Sequence, residues 1–207
     1  MRAQSVNDCC ASRAPRHEHG PVSEQPVLTT RRLVLRPFVL DDALAVQVLA
    51  GAREVADTTL HIPHPYPAGA AEQWIATHPV AWDAGTGVTY AVTDAGTGVL
   101  MGAVGLTITP AHARAELGYW LGVPYWNRGY STEAANAIVD FGFTRLGLHR
   151  IQAHYLTRNR ASGRVMEKLG MRSEGVSRHA VRKHDRFEDL EMYAILADEW
   201  IARGGTA

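Results

Sequence analysis

The sequence predicts a mixed α/β (α+β) domain, in which a twisted and mostly antiparallel sheet of six or seven strands is flanked by helices. Three observations lead to this prediction. Short runs with strand periodicity alternate with Gly-containing turns in the first half of the chain, which favours antiparallel hairpins. A strongly amphipathic helix then separates two strands, and such a crossover requires parallel pairing. A last pair of strands flanks a polar turn near the carboxyl end.

The composition is typical of one ordinary globular domain. A chain of 207 residues with 46% hydrophobic content can bury one substantial core. The 21 basic and 21 acidic residues cancel, so no net field attracts nucleic acid or an anionic membrane. Cys9 and Cys10 are adjacent and cannot form a disulfide framework. No apolar run is long enough to cross a bilayer and no secretory signal is visible, which predicts a soluble, cytoplasmic protein.

Folded structure is expected to begin after a polar stretch. Residues 1–26 carry little hydrophobic content, which predicts a disordered leader, and residues 27–203 are expected to form a single domain. The elements predicted for its first half are a strand over 29–36, a helix through 44–49, an irregular segment from Thr58 to Pro67, a helix over 70–82, and strands over 89–93, 100–109 and 114–122. The irregular segment holds three prolines and two histidines, so it is a candidate lid.

The stretch from Tyr125 to Ala134, YWNRGYSTEA, organises the second half of the chain. It opens a helix near Ser131 whose apolar positions share one face, as expected of a helix packed on a sheet. The first N–H groups of such a helix lack internal partners and carry partial positive charge, so they attract anions. Gly129 lets the backbone approach an anion, although a lone glycine before a helix is more often only a tight turn. The elements predicted beyond this helix are a strand over 150–156, a short helix over 161–169, and two strands around the turn 184–186.

Three segments in order give a specific signal. They are AELGYWL from Ala115 to Leu121, then WNRGYSTEA, then NRASGRVMEKLGM from Asn159 to Met171. The second follows the pattern W-x-x-G-Y-[AS]-T-E-A and the third N-x-x-S-x-x-x-x-E-K-x-G-[FM]. Over residues 30–200 the chain resembles the GNAT superfamily of acetyl-CoA-dependent N-acetyltransferases, and most closely its RimJ- and RimL-like branch of ribosomal-protein N-terminal acetyltransferases. The resemblance implies the GNAT fold, acetyl-CoA as co-substrate and a primary amine as acceptor, with no metal.

The resemblance also implies which residues contact the coenzyme. The pyrophosphate would lie on the loop before the long helix, and the pantetheine arm along the preceding strand and against the short helix. The residues concerned are Trp120, Gly122, Val123, Asn127, Arg128, Gly129, Tyr130, Ser131, Thr132, Asn159 and Ser162. A solvated side chain is the alternative for Arg128, and Asn159 can also serve as the N-cap of the short helix. The loop departs from the wider pattern [QR]-x-x-G-x-[GA] at Trp126 and Ser131, as the RimJ- and RimL-like branch does.

Acetyl transfer to an amine needs a base for the ammonium proton and a donor for the departing thiolate. Glu116 is the candidate base, because it shares a strand face with Gly118 and Trp120, where apolar surface strengthens a carboxylate base. A solvent-facing or salt-bridged glutamate is the alternative. Ser162 matches the serine that the resemblance implies as the acid, with a capping or buried hydroxyl as the alternative. Met166 stands where many members of the superfamily have a tyrosine acid, so the donor is Ser162 or water.

The predicted function is transfer of the acetyl group of acetyl-CoA to a protein N-terminal α-amine. A small-molecule amine, such as a polyamine, an amino acid or an aminoglycoside, is the alternative acceptor, and a sensor that binds acyl-CoA without turnover is a further possibility. His61 and His64 lie among prolines without a third ligand, so no metal site is predicted. The resemblance leaves a homodimer open. The basic cluster at the last turn is expected to be solvated, with an acidic acceptor partner as the alternative; its members are Arg178, Arg182, Lys183, His184 and Arg186.

Overall fold

The computed structural model describes residues 24–205 of the chain. This part contains eight strands and six α-helices, joined by turns and loops. The strands are β1 (Leu28–Thr29), β2 (Leu33–Arg36), β3 (Gly87–Asp94), β4 (Leu100–Thr109), β5 (Arg114–Leu121), β6 (Arg150–Leu156), β7 (Arg172–Lys183) and β8 (Arg186–Leu196). The helices are α1 (Ala43–Ala50), α2 (Arg53–Thr58), α3 (Ala70–Asp83), α4 (Tyr130–Thr144), α5 (Arg160–Lys168) and α6 (Ala197–Ala202). The predicted leader over 1–26 lies almost wholly outside the described residues.

All the strands join one sheet in the order β1-β2-β3-β4-β5-β6-β8-β7. Every pairing is antiparallel except that of β5 with β6, so the predicted mixed, mostly antiparallel sheet is confirmed. The sheet has eight strands, slightly more than the approximately six or seven that the sequence predicts. The run predicted as one strand over 29–36 is folded back by a turn in which Thr30 N donates to Leu33 O at 2.9 Å. That turn produces the two-residue strand β1, which pairs with β2.

The parallel strands β5 and β6 stay together for only three residue pairs. Arg114, Ala115 and Glu116 pair with Arg150, Ile151 and Gln152, and the strands then part. The rest of β5 still pairs with β4 through Leu121. Among residues 24–205, one edge of β5 is therefore left without a strand partner beyond Glu116, and the cleft described below opens at this gap.

Helices cover both faces of the sheet. On one face α4 packs Ala135, Ile138 and Val139 into the main core, all fully buried. A Cβ on Gly142 would lie 2.9 Å from Ile151 Cδ1, so this glycine lets α4 approach the sheet closely. On the other face α1 and α3 form a smaller cluster that includes Trp74 and Trp120. No helix within the described residues has the length and apolarity to span a bilayer, and the cytoplasmic location stays a prediction.

His78 on α3 is expected to make stability depend on pH. Its ring packs between Phe38 and Trp74, is 7% exposed, and has no hydrogen-bond partner among the described residues. Burial lowers the pKa of His78 from 6.5 to about 4. A depressed folded-state pKa means that the unfolded chain takes up the proton first, so stability is intact above pH 6.5 and is lost as the pH falls toward 4.

The measurement is the free energy of unfolding in urea at pH 7.5 and pH 5. We expect His78 to account for a loss of up to about 2 kcal/mol between these two values. The variant His78→Leu should remove that part of the pH dependence, while the carboxylates contribute equally to both proteins. An equal pH dependence in wild type and variant would show that folding does not lower the pKa of His78, so that its ring is already protonated at pH 5 in the folded state.

Candidate active site

A cleft of about 810 Å³ opens where β5 and β6 part. Both strands, the loop before α4, the helix α5 and the segment after α2 line it. Nine of the predicted site residues line this cleft: Glu116, Trp120, Asn127, Gly129, Tyr130, Ser131, Thr132, Asn159 and Ser162. The fold thus brings together residues from three separate segments of the sequence.

Three predicted coenzyme residues do not line the cleft, namely Gly122, Val123 and Arg128. The backbone of Gly122 is already used, because its N–H donates to Met101 O and its carbonyl accepts from Tyr125 N, both at 2.9 Å. The side chain of Arg128 is exposed, as its alternative interpretation expected. A role for these three residues in coenzyme binding stays a prediction.

The loop from Asn127 to Thr132 presents free backbone donors at the start of α4. Asn127 (φ 59°) and Gly129 (φ 79°) both adopt the left-handed conformation, which turns the chain sharply into the helix. None of the backbone N–H groups from Asn127 through Thr132 has an acceptor among the described residues. Free N–H groups at the positive end of a helix dipole form an anion site suited to a pyrophosphate.

Hydrogen bonds that were not predicted from the sequence hold the first turn of α4 against the turn between β1 and β2. Glu133 accepts hydrogen bonds from Thr30 Oγ1 (2.7 Å) and from Arg32 N (2.9 Å) and Nε (2.7 Å). Burial works to raise the pKa of Glu133, but these hydrogen bonds outweigh it, so the pKa lies below its usual value. The Arg32 guanidinium also donates to Arg128 O at 3.0 Å and lies 4.5 Å from the Tyr130 ring centre. A fixed cation therefore stands beside the loop.

Two further cations were also missed. Arg164 and Lys168, one turn apart on α5, line the cleft, and Lys168 shares a shallow hollow with Gly129 and Thr132. Their spacing of four residues was a readable signal, because residues i and i+4 share one face of a helix. With Arg32 they add positive charge near the anion site.

Ser162 lies in the first turn of α5 and faces β5 across the gap. Its Oγ is 2.8 Å from the Tyr119 hydroxyl, which also lies 3.2 Å from Ser162 O. Burial raises the pKa of Tyr119 to about 12, with the hydrogen bond to Ser162 working in the opposite direction. Asn159 caps the helix by accepting from Ser162 N at 3.3 Å, so its capping role is observed. Met166 is 1% exposed and belongs to the core.

Glu116 lies where β5 and β6 begin to part. Its carboxylate contacts two side chains of β6, Gln152 Nε2 at 3.4 Å and His154 Nδ1 at 3.5 Å. The period of two along β5 places Glu116 on the same face as Trp120, which packs against the α1 and α3 cluster. His154 also lines the cleft and is a second candidate base, which was not predicted from the sequence.

A model of the family described as "Acetyltransferase (GNAT) domain" matches residues 32–172. The chain belongs to the GNAT acetyltransferases. This GNAT protein is 30% identical over 172 residues to YoaA, an uncharacterized N-acetyltransferase of Bacillus subtilis, covering 83% of this chain and 97% of YoaA. It is also 27% identical over 84 residues to the [ribosomal protein uS5]-alanine N-acetyltransferase of Escherichia coli, covering 41% of this chain and 43% of that enzyme.

Among solved structures, the GNAT fold here is similar to that of RimL, a ribosomal L7/L12 α-N-protein acetyltransferase in complex with coenzyme A. The TM-score is 0.78 at 17% identity, over 84% of this chain and 99% of RimL. The predicted GNAT membership, fold and acyltransferase class are confirmed. The co-substrate of this GNAT acetyltransferase is acetyl-CoA.

The residues of the cleft fit that co-substrate. The free amides of the loop offer an anion site for a pyrophosphate, and the unpaired edge of β5 offers backbone groups for an amide-containing arm. No group of three or more His, Cys, Asp or Glu side chains within residues 24–205 is arranged to hold a metal. His64 Nδ1 instead lies 3.0 Å from Gly51 O.

Proposed function

We propose that this GNAT acetyltransferase acetylates the α-amine at the amino terminus of a protein. The observation that carries the proposal is the charge of the cleft, in which Glu116 is the one acidic residue among the described residues of the lining. The single carboxylate of Glu116 can pair with the single ammonium group of a protein amino terminus. A polyamine or an aminoglycoside carries several ammonium groups, and each one that is buried needs its own partner. The similarity to the uS5-alanine N-acetyltransferase supports the same choice.

The apolar end of the cleft favours an acceptor whose first residue, next to the amine, has a small apolar or an aromatic side chain. Leu60, Ile62, Tyr66, Trp74 and Trp120 line this end. Trp74 and Trp120 have ring centres 6.4 Å apart. Rings of this kind bury an apolar side chain and attract the amine while it is still protonated.

In the proposed reaction Glu116 takes the proton from the acceptor amine. The bound amine becomes nucleophilic when its ammonium proton passes to the carboxylate, directly or through a water molecule. His154 beside Glu116 orients the carboxylate, and Gln152 donates to it. The amine nitrogen then attacks the carbonyl carbon of the acetyl thioester, the carbon–sulfur bond breaks, and the second proton that the nitrogen loses as the amide forms passes to the departing sulfur or to solvent.

Ser162 stabilises the departing thiolate by donating a hydrogen bond. A thiol has an ordinary pKa of about 8.5, so its thiolate is a fair leaving group that does not require full proton transfer. Burial raises the pKa of Tyr119 to about 12, which favours a hydrogen-bonding role for this hydroxyl over proton donation. Tyr119 therefore acts as a positioning residue, which holds the Ser162 hydroxyl at the gap between the strands.

Ser162→Ala is expected to lower kcat about tenfold, and Tyr119→Phe about threefold, because each removes one hydrogen bond from the path to the leaving sulfur. The coenzyme dissociation constant should change less than twofold. Ser177→Ala on the exposed strand β7 is the matched control. Unchanged kcat in both variants would assign protonation of the thiolate to water.

The proposed acceptor is tested by release of free coenzyme thiol from acetyl-CoA. The panel contains peptides that begin with Ala, Ser or Met, together with spermidine, single amino acids and an aminoglycoside. Release with the peptides, with mass spectrometry locating the acetyl group on the α-amine, supports the proposal. Release with the small amines alone overturns it in favour of the alternative acceptor, and tight acetyl-CoA binding without any release would indicate a sensor. The homodimer stays a prediction, which sedimentation velocity can test by measuring the mass of the protein in solution.

A further inference from the structure

Three consecutive backbone carbonyls at the end of α2 are held by side chains from distant parts of the chain. Arg158 Nη2 donates to Asp57 O at 2.6 Å, and Asn159 Nδ2 donates to Thr58 O at 3.2 Å. Lys183 Nζ donates to Thr59 O. The last carbonyls of a helix have no internal donor and carry partial negative charge, so two cations and an amide are suitable partners.

The segment that follows these carbonyls is poorly held by its own backbone. Residues 60–66 make no backbone–backbone hydrogen bond within the described part of the chain. The polar contact that ties this segment elsewhere is His64 Nδ1 to Gly51 O. Yet the segment lines the cleft with Leu60, His61, Ile62 and Tyr66. Ile62 and Tyr66 pack against the α1 and α3 cluster, whereas the backbone of the segment is fixed by hydrogen bonds only at its start, where it leaves the anchored end of α2.

Lys183 is buried beside the three carbonyls and is surrounded by charged partners. Its side chain is buried, at 8% exposure, although the sequence placed it in a cluster expected to be solvated. Burial lowers the pKa of Lys183, and Arg158 adds to this effect, whereas Asp57 and Glu188 oppose it. Arg158 Nε pairs with Glu188 at 3.0 Å. Each cation near the three carbonyls thus has a carboxylate close by.

We propose that Arg158, Asn159 and Lys183 form a carbonyl clamp that positions residues 60–66 as the acceptor-side wall of the cleft. The three are positioning residues, and the assignment of this wall to the acceptor rests on the proposed function. Asn159 also couples the two sides of the site. Its Oδ1 caps α5 at Ser162, beside the expected path of the coenzyme arm, while its Nδ2 holds the segment that leads to the wall.

The test is Lys183→Met, which keeps an unbranched apolar stem like that of lysine and removes the ammonium donor. Hydrogen exchange of the α2 amides should become about tenfold faster, because the end of this helix loses a charged partner. The KM for the amine found in the acceptor panel should rise about tenfold, and the KM for acetyl-CoA should change less than about twofold. A merely structural role would not separate the two KM values. Arg182→Met is the matched control, because Arg182 is exposed and its ion pair is with Asp185 in the same turn.

Asn159→Asp tests the clamp if Lys183→Met fails to fold. The aspartate keeps an oxygen to cap Ser162 N and loses the donor to Thr58 O, so α2 exchange should again accelerate. Exchange within twofold of wild type in the folded variants would overturn the clamp, as would an equal rise of both KM values in Lys183→Met. If the protein turns over no amine in the panel, the proposed acceptor is wrong. Hydrogen exchange of the α2 amides would still decide whether the clamp exists.

Discussion

Gly129→Glu is expected to weaken acetyl-CoA binding by at least about 100-fold, because juxtaposed like charges at a binding site cost several kcal/mol. Gly129 is the N-cap of α4 and lies among the free amides that suit a pyrophosphate. A Cβ there would come no closer than 3.5 Å, to Arg32 Nη2, so the backbone itself is not blocked. Isothermal titration with acetyl-CoA measures the loss.

Gly98→Glu separates this effect from backbone strain. Gly98 has φ +73°, close to that of Gly129, and a Cβ on it would meet no atom within 4 Å. Both variants should lose about 1–2 kcal/mol of stability to the left-handed conformation. The coenzyme affinity of Gly98→Glu should equal that of wild type. Wild-type affinity in Gly129→Glu would show that the anion site lies elsewhere.

Glu116→Gln is expected to lower kcat/KM for the acceptor by about 100- to 1000-fold, the usual contribution of a general base. Glutamine keeps the shape of the side chain and an oxygen that can accept from Gln152, but it cannot accept the ammonium proton. Acetyl-CoA affinity should be unchanged, because Glu116 lies at the opposite end of the gap from the loop. Thiol release under limiting acceptor measures the rate.

Glu174→Gln is the control for this substitution. Glu174 is exposed to the same degree as Glu116, 42% against 43%, and pairs with Arg150 outside the cleft. Its loss should leave kcat/KM within twofold of wild type. His154→Gln completes the set. If His154→Gln abolishes the rate while Glu116→Gln retains it, the histidine is the base and the carboxylate its positioning group.

The sequence predicted the elements best where local signals are strong. The strands over 100–109 and 150–156 and the parallel crossover appear as predicted, because periodicity and the connecting helix are local properties. The helix through 44–49 was also predicted. Its Leu44 and Val48 are nevertheless 73% and 65% exposed, since the neighbours that choose the buried face are distant in sequence. The short helix α2 was not predicted; it lies between the predicted helix through 44–49 and the proline-containing segment that begins at Thr58.

The sequence by itself determined that this chain is a GNAT acetyltransferase, because the glycine turn, the amphipathic helix and the spaced Asn and Ser are encoded in short segments. The tertiary structure decided which side chains complete the site. Tyr119 meets Ser162 across a separation of 43 residues, and Arg32 meets Glu133 across 101. The clamp brings Lys183 to Thr59 across 124 residues. A local sequence pattern cannot predict such contacts, because they arise from the order of the strands in the sheet and from the separation of β5 and β6.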